Sequence, residues 1–305
     1  MKVMEDGIMG NYLVEFCQEI DFPKEAIAVL ESSLGQLEDK SKENNRFLEL
    51  VEYYKDHNDK KEQEIIISKL NEIAKESGIN QYTLHMLYAI ALSKHTRVMY
   101  EEKGLSNENF LDTMYDLKAK LMECYELHDV WGTAVFWWEI DLFNMNLIAF
   151  GRLQFEVIEY AGEYEGEYKG KTCKLNKGDK VLNMHIPSGK PLNIDECRES
   201  FKMAAEFYKD YFVDRPVAFV CTSWLLYPSH REFLPEKSNI LKFMDLFHIV
   251  SFKIREDKQY LWRIFYKDWE KEAKDLPKNT SLQRAYADWL VKGNPAGEGH
   301  GVFFM

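Results

Sequence analysis

The chain has 305 residues, 46% of them hydrophobic and 30% charged, so it can bury a sizeable core under a well-solvated surface, which excludes disorder over most of its length. Its formal net charge of -12 repels phosphate backbones and anionic lipid, and no long basic run opposes that field, so neither nucleic acid nor a membrane surface is expected as a partner. Cys17, Cys124, Cys173, Cys197 and Cys221 are odd in number and never form a CxxC pair. No basic leader opens the chain, and no window of about 18 apolar residues runs uninterrupted, so a cytoplasmic protein is expected.

A chain of this length is expected to hold two domains, and the sequence predicts a helical one over 1–145 and a mixed one over 146–305. In the first, Asp21 before Pro23 is expected to open a helix and Gly35 to stop it. Ile66, Leu70 and Ile73 recur at helical spacing up to Gly78, after which Asn80 is expected to cap a helix carrying Leu84, Leu87, Tyr88 and Ala91 on one stripe. Beyond Ser106 the pattern returns with Phe110, Met114, Leu117, Leu121 and Tyr125. The most apolar stretch, Trp131 to Gly151, reads as a buried helix between the halves.

From Gly151 the period changes to two, with Leu153, Phe155 and Val157 alternating with Arg152, Gln154 and Glu156, as in a strand with one buried face. Seven of the eight prolines and ten of the sixteen glycines lie in this half, which marks frequent turns. The run from Gly162 to Gly178 predicts a hairpin-like excursion before a strand near Lys180 to Ile186. Asn193 or Asp195 then opens a helix through Phe201, Ala204 and Tyr208. The apolar run VAFVCTSWLLY reads as a central strand, followed by a helix over 231–247 and strands over 248–255 and 260–267. A helix near Ser281 to Leu290 and a terminal GHGVFFM that closes the sheet complete an α+β order.

His185 stands just before the Pro187, Ser188, Gly189 turn, at the rim of the sheet. With an unperturbed pKa of about 6.5 it can take a proton from an ammonium substrate, or simply bond a neighbouring carbonyl. Strand alternation puts Cys221, Ser223 and Leu225 on one face and Thr222 and Trp224 on the other. The thiol and hydroxyl can protonate a leaving thiolate, line a narrow acyl channel, or merely pack. Ser223 has no GxSxG elbow around it. Glu156, sharing its predicted face with Arg152 and Gln154, is a base, an amine anchor or an ordinary exposed carboxylate. The C-terminal NPAGEGHG offers unhindered amides but no P-loop lysine and no GxGxxG, and reads as a link to the last strand. The histidines never form HExxH, and Cys221 and His230 lack further ligands at a recognisable spacing, so no metal is expected.

Taken in order, GRLQFE (Gly151 to Glu156), LNMHIPSG (Leu182 to Gly189), FVCTSWLLYP (Phe219 to Pro228) and SNILKF (Ser238 to Phe243) resemble a bacterial acyltransferase family. In that family a helical N-acyltransferase N-terminal domain precedes a GNAT-like C-terminal domain. The resemblance implies a mixed sheet with flanking helices in which two strands splay and the pantetheine arm of acyl-CoA lies between them. A small-molecule amine or peptide acceptor then attacks the thioester directly. Carried onto this chain, it places Thr222, Trp224, Leu225 and Leu226 along the cosubstrate. His185 or Glu156 becomes the base, and Cys221, Ser223 or Tyr227 the acid. The family's pyrophosphate loop is not matched after Leu225, where YPSHREFLPEKSN stands. Two other readings stay open: a thioester or ester hydrolase using Cys221 or Ser223, and a non-catalytic binding protein that keeps the fold.

Overall fold

The computed structural model describes residues 8–305, so the first seven residues, where a leader would lie, fall outside it. The chain divides into two compact units at Ala149 and Phe150. No helix among the described residues is long and apolar enough to cross a membrane.

Among the described residues the first unit holds seven helices: α1 (Ile8–Glu19), α2 (Lys24–Glu38), α3 (Ser41–Tyr54), α4 (Lys60–Ser77), α5 (Gln81–Glu102), α6 (Asn107–His128) and α7 (Phe136–Phe143). Side-chain caps set three starts, with Asp59, Asn80 and Ser106 accepting backbone N–H bonds ahead of α4, α5 and α6. Gly78, at φ +74°, ends α4 in the left-handed conformation that favours glycine. Two expected signals fail. Asp21 does not cap α2, because it takes φ 60° and pairs with Lys118 instead. Gly35 does not stop α2 either. Leu34 and Leu37 continue its buried stripe, and that burial outweighs glycine's helix cost of about 1 kcal/mol.

The long apolar stretch is only partly helical. Trp131 and Thr133 bond the start of α5 through Thr83 Oγ1 and the Tyr82 carbonyl at 2.9 and 3.0 Å, which delays α7 to Phe136. Phe136 and Phe143 then pack edge-on against Tyr88 and Tyr54. Glu139 of α7 is wholly buried, with Oε1 accepting from Thr133 Oγ1 at 2.7 Å. Burial pushes its carboxyl up to about 8, so it folds as the neutral acid at pH 7.

The second unit carries a six-stranded sheet and a separate hairpin. Its elements are β1 (Ile148–Phe150), β2 (Leu153–Glu159), β3 (Tyr164–Tyr168), β4 (Lys171–Leu175), β5 (Lys180–His185), α8 (Ile194–Phe207), β6 (Ala218–Ser223), α9 (His230–Phe233), α10 (Asn239–Met244), β7 (His248–Ile254), α11 (Trp262–Phe265), α12 (Ser281–Val291) and β8 (Gly297–Phe304). The sheet order is β1-β2-β5-β6-β8-β7, with β3-β4 as the hairpin. β5 and β6 run parallel and the other registered pairs antiparallel.

Alternation gives the sheet two unlike faces. Phe155, Phe219 and Phe303 on one face meet Phe201 of α8 and Phe247 at ring distances between 4.7 and 6.3 Å. On the other, Val181, Ala218, Val220 and Val302 are covered by Tyr160 and by Leu175 of β4.

Three local expectations are corrected here. VAFVCTSWLLY is a strand only to Ser223, whose Oγ accepts from Leu225 N at 3.2 Å and turns Trp224–Leu226 into a 3-10 turn. The helix expected over 231–247 breaks into α9 and α10 around Pro235, since proline supplies no N–H and disfavours helix before it. The strand expected over 260–267 is a series of short helical turns, because Leu261, Ile264 and Phe265 bury themselves at helical spacing against Tyr286, Ala287 and Leu290 of α12.

β8 does not close the sheet; it lies between β6 and β7. Its glycines are packing positions rather than a link. A Cβ on Gly299 would overlap the Leu226 carbonyl, and one on Gly301 would lie 2.8 Å from Phe247 Cβ. Gly299→Ala is expected to cost about 2–3 kcal/mol of stability, read as a fall in the melting temperature, whereas alanine at exposed Ser251 should leave it unchanged.

A second expectation concerns Glu139. Its folded pKa lies above the unfolded value, so folding takes up a proton between those values and stability falls as pH rises from about 4.5 to about 8. Chemical denaturation across that range should show this decline in the native chain and a flatter profile in Glu139→Gln.

Candidate active site

β2 and β5 pair in a register that sets Glu156 opposite Asn183 and Gln154 opposite His185. All four side chains therefore share one face. His185 Nε2 lies 2.7 Å from Glu156 Oε1, and Asn183 Nδ2 donates to the same oxygen at 2.8 Å. A carboxylate only accepts, so Nε2 donates to it and Nδ1 carries the lone pair of the neutral ring; Asn183 Nδ2, itself a donor, lies 3.1 Å from Nε2 and so bonds the carboxylate rather than the ring. The His185 and Glu156 side chains keep 22% and 26% of their surface, so the pair is sheltered yet reachable by a substrate.

Arg152 does not join this face. It is buried in the turn before β2, its Nε and Nη2 donating to the Pro191 and Lys190 carbonyls, each at 3.0 Å. Its guanidinium thereby clamps the loop that follows His185. Gln154 is also buried, so the exposed polar surface expected around Glu156 narrows to Glu156, Asn183 and His185.

β5 and β6 are registered at Leu182 with Phe219 and Asn183 with Val220. β5 continues to His185 and β6 to Ser223, so their C-terminal ends extend past that ladder. The ends are where a ligand's backbone-like amides can pair. Thr222 is exposed there, and its Oγ1 lies 2.8 Å from His300 Nδ1 on β8.

The remaining candidates lie elsewhere. Cys221 points to the opposite, buried face, opposite Gly301, and burial pushes its thiol up to about 12, far from a reactive thiolate. Ser223 is engaged in capping the 3-10 turn. Trp224 stacks on Tyr260 at 6.1 Å, Leu225 and Leu226 are buried, and Tyr227 is buried beside His230 and Phe252 at 5.9 and 6.2 Å. The hydrolase reading thus has no activated nucleophile. After β6 come the 3-10 turn, Tyr227–Ser229 and the short α9, so no glycine-rich loop faces the strand ends. Among the described residues no group of three or more His, Cys, Asp or Glu is arranged to hold a metal ion.

Asn183 and His300 escaped the sequence reading. Asn183 was within reach, standing two residues before His185 on the same predicted face. His300 was not, because it meets Thr222 across 78 residues of chain.

A helical unit followed by a mixed sheet, with a sheltered His185–Glu156 pair beside the ends of two parallel strands, defines an acyltransferase-type architecture. Residues 147–303 match the GNAT-like C-terminal domain, and the chain belongs to that family; residues 11–145 match the N-acyltransferase N-terminal domain. No curated protein matches the sequence. Among solved structures, an acyltransferase in complex with decanoyl-CoA and teicoplanin superposes with a TM-score of 0.72 at 19% identity, covering 96% of this chain and 87% of that one. A mutant acyltransferase in complex with octanoyl-CoA gives 0.71 at 18% identity, over 97% and 88%. At these identities the likeness establishes the shared fold.

The five cysteines are free, and Cys173 alone of them is not buried. Brief treatment of the folded protein with iodoacetamide should add one label, mapped to Cys173 by peptide mass spectrometry. Rapid labelling of Cys221 would restore a thiol nucleophile.

Proposed function

We propose that this chain is an N-acyltransferase that moves an acyl group from an acyl-CoA thioester to an amine on a small-molecule or peptide acceptor. The observation that carries the reading is the His185–Glu156 pair at 2.7 Å, placed on the strand that borders the free end of β6 in a member of an acyltransferase family. A cytoplasmic setting accords with it and with five free cysteines.

The reaction needs an acceptor that is ammonium in water to present a lone pair. His185 Nδ1 takes that proton as the nitrogen meets the thioester carbon, and Glu156 stabilises the imidazolium through Nε2–H. Asn183 holds the carboxylate oxygen in place. The Arg152 clamp on the following loop keeps His185 at the sheet rim. The backbone N–H and C=O of Thr222 are the groups of β6 offered to the pantetheine amides, since the pairing that starts at Val217 with Met305 alternates and turns those of Ser223 toward Gly299 of β8. The complexes of the structural neighbours with decanoyl-CoA, octanoyl-CoA and CoA support an acyl-CoA cosubstrate, and those with teicoplanin support an acceptor larger than a simple metabolite.

Acetyl-CoA, octanoyl-CoA and decanoyl-CoA at millimolar concentration are the direct probes. At least one should raise the melting temperature, a ligand at 100 times its Kd adding about 2.7 kcal/mol. No shift with any of them would overturn the reading. His185→Ala should keep the shift yet lower CoA release in the presence of an amine by about 10²- to 10⁴-fold, the usual share of general base catalysis.

A further inference from the structure

The sheet face that carries His185 has a second pair of hydrogen-bonding side chains, across the gap at the strand ends. The registers Asn183 with Val220, Val220 with Val302 and Thr222 with His300 place Asn183, Val220, Thr222, Val302 and His300 on that face. His185, two residues beyond Asn183, is on it too. Toward the N-terminal end of β6 the face is apolar and covered, by Tyr160 and Leu175 over Val220 and Val302. One step further it turns polar and open, with Thr222 exposed and His300 partly buried. The change falls at the level of the strand ends.

We propose that Thr222, oriented by His300, is the hydrogen-bond donor that receives the departing thiolate of the thioester, on the opposite side of the gap from the His185 base. This rests on the acyltransferase reading and assigns its leaving-group side. A threonine hydroxyl has one proton and two lone pairs. Thr222 Oγ1 and His300 Nδ1 lie 2.8 Å apart; the assignment takes the Nδ1–H tautomer, in which the ring donates to Oγ1 and the threonine proton is turned away from the ring and toward the strand ends. His300 is held for that task by stacking on Tyr160, ring centroids 6.0 Å apart at 22°. Burial lowers its pKa, so near neutral pH the ring is uncharged and carries a single N–H.

The acceptor nitrogen's lone pair forms the N–C bond while the carbonyl π pair moves to oxygen. That pair returns as the C–S bond breaks, leaving its electrons on sulfur. His185 takes the ammonium proton as the lone pair is freed and releases it to solvent, then takes the second proton from the nitrogen once the N–C bond has formed. The thiolate, bonded by the Thr222 hydroxyl, takes a proton from water, and His185 returns its own to the hydroxide so formed. Thr222 is unchanged at the end, as a donor that strengthens its bond only when charge develops on sulfur. His300 is a positioning residue.

The test needs no acceptor. Affinities of the full chain for CoA and for desulfo-CoA, measured by calorimetry over a rising pH series that converts the CoA thiol to thiolate, isolate the sulfur contact. The native chain should prefer CoA about tenfold, the worth of a charge-assisted bond. Thr222→Val should abolish that preference with desulfo-CoA affinity changed less than about twofold, and Thr222→Ser should restore it. His300→Asn, which keeps a donor near the Nδ1 position, should retain most of the preference, and His300→Phe should lose it. If the native chain binds CoA and desulfo-CoA equally, or Thr222→Val weakens both alike, the assignment of Thr222 falls while the acyltransferase reading stands. If the native chain binds neither, both fall.

Discussion

The second unit depends on how closely the chain can lie against β8. Gly299 and Gly301 present hydrogen atoms where any other residue would present a side chain, and the Leu226 carbonyl and Phe247 occupy that space. The turn Trp224–Leu226 can therefore fold straight back over β8 as β6 ends, with Ser223 capping it. If it stood further off, β6 would have to run on as a strand. Instead it stops at Ser223, and its last residues reach the level of His185 on β5. Between these glycines, His300 faces the other side of the sheet and reaches Thr222. One alternating pattern thus supplies a close-packed back and a functional front.

The two faces divide the labour. The back is a run of rings, Phe155, Phe201, Phe219, Phe247 and Phe303, whose burial holds the strands rigid and whose geometry leaves no room for a polar group without a partner. Cys221 belongs to it, which is why its thiol is inert. The front carries hydrogen-bonding side chains in pairs, Glu156 with His185 and Thr222 with His300. Each pair contains one histidine, and in the first the carboxylate, which only accepts, sets the proton on Nε2 and so holds the ring by its N–H. In the second pair burial favours the neutral ring of His300.

Where a signal is local, the sequence was a good guide to this fold. Gly78, Asn80, Ser106 and Asn193 act at helix ends as their chemistry requires. β2, β5 and α8 begin and end close to where period and punctuation put them. The failures share a cause. Gly35 sits inside α2 because distant packing buries Leu34 and Leu37 around it, and the turns from Gln259 to Asp268 are helical because α12 offers Tyr286 and Leu290 to pack on. Neither fact is written nearby in the chain. The site shows the same division: His185 and Glu156 were visible as residues, but their pairing depends on the β2–β5 register, and His300 depends on the insertion of β8 beside β6.

That insertion also explains why aminolysis is the chemistry the front face suits. A hydrolase working through a covalent intermediate needs an activated nucleophile next to its base, and the thiol nearest the strand end is turned to the other side of the sheet. With the nucleophile supplied by the acceptor, the protein need only remove a proton on one side of the thioester and accommodate negative charge on the other. Two strands that extend past their shared ladder provide those two sides without either pair having to move. His185 is held by the Glu156 bond, the loop that follows it by the Arg152 clamp, and Thr222 by the His300 ring stacked on Tyr160. Rigid placement of both groups before the substrate arrives is what converts hydrogen bonds of ordinary strength into rate.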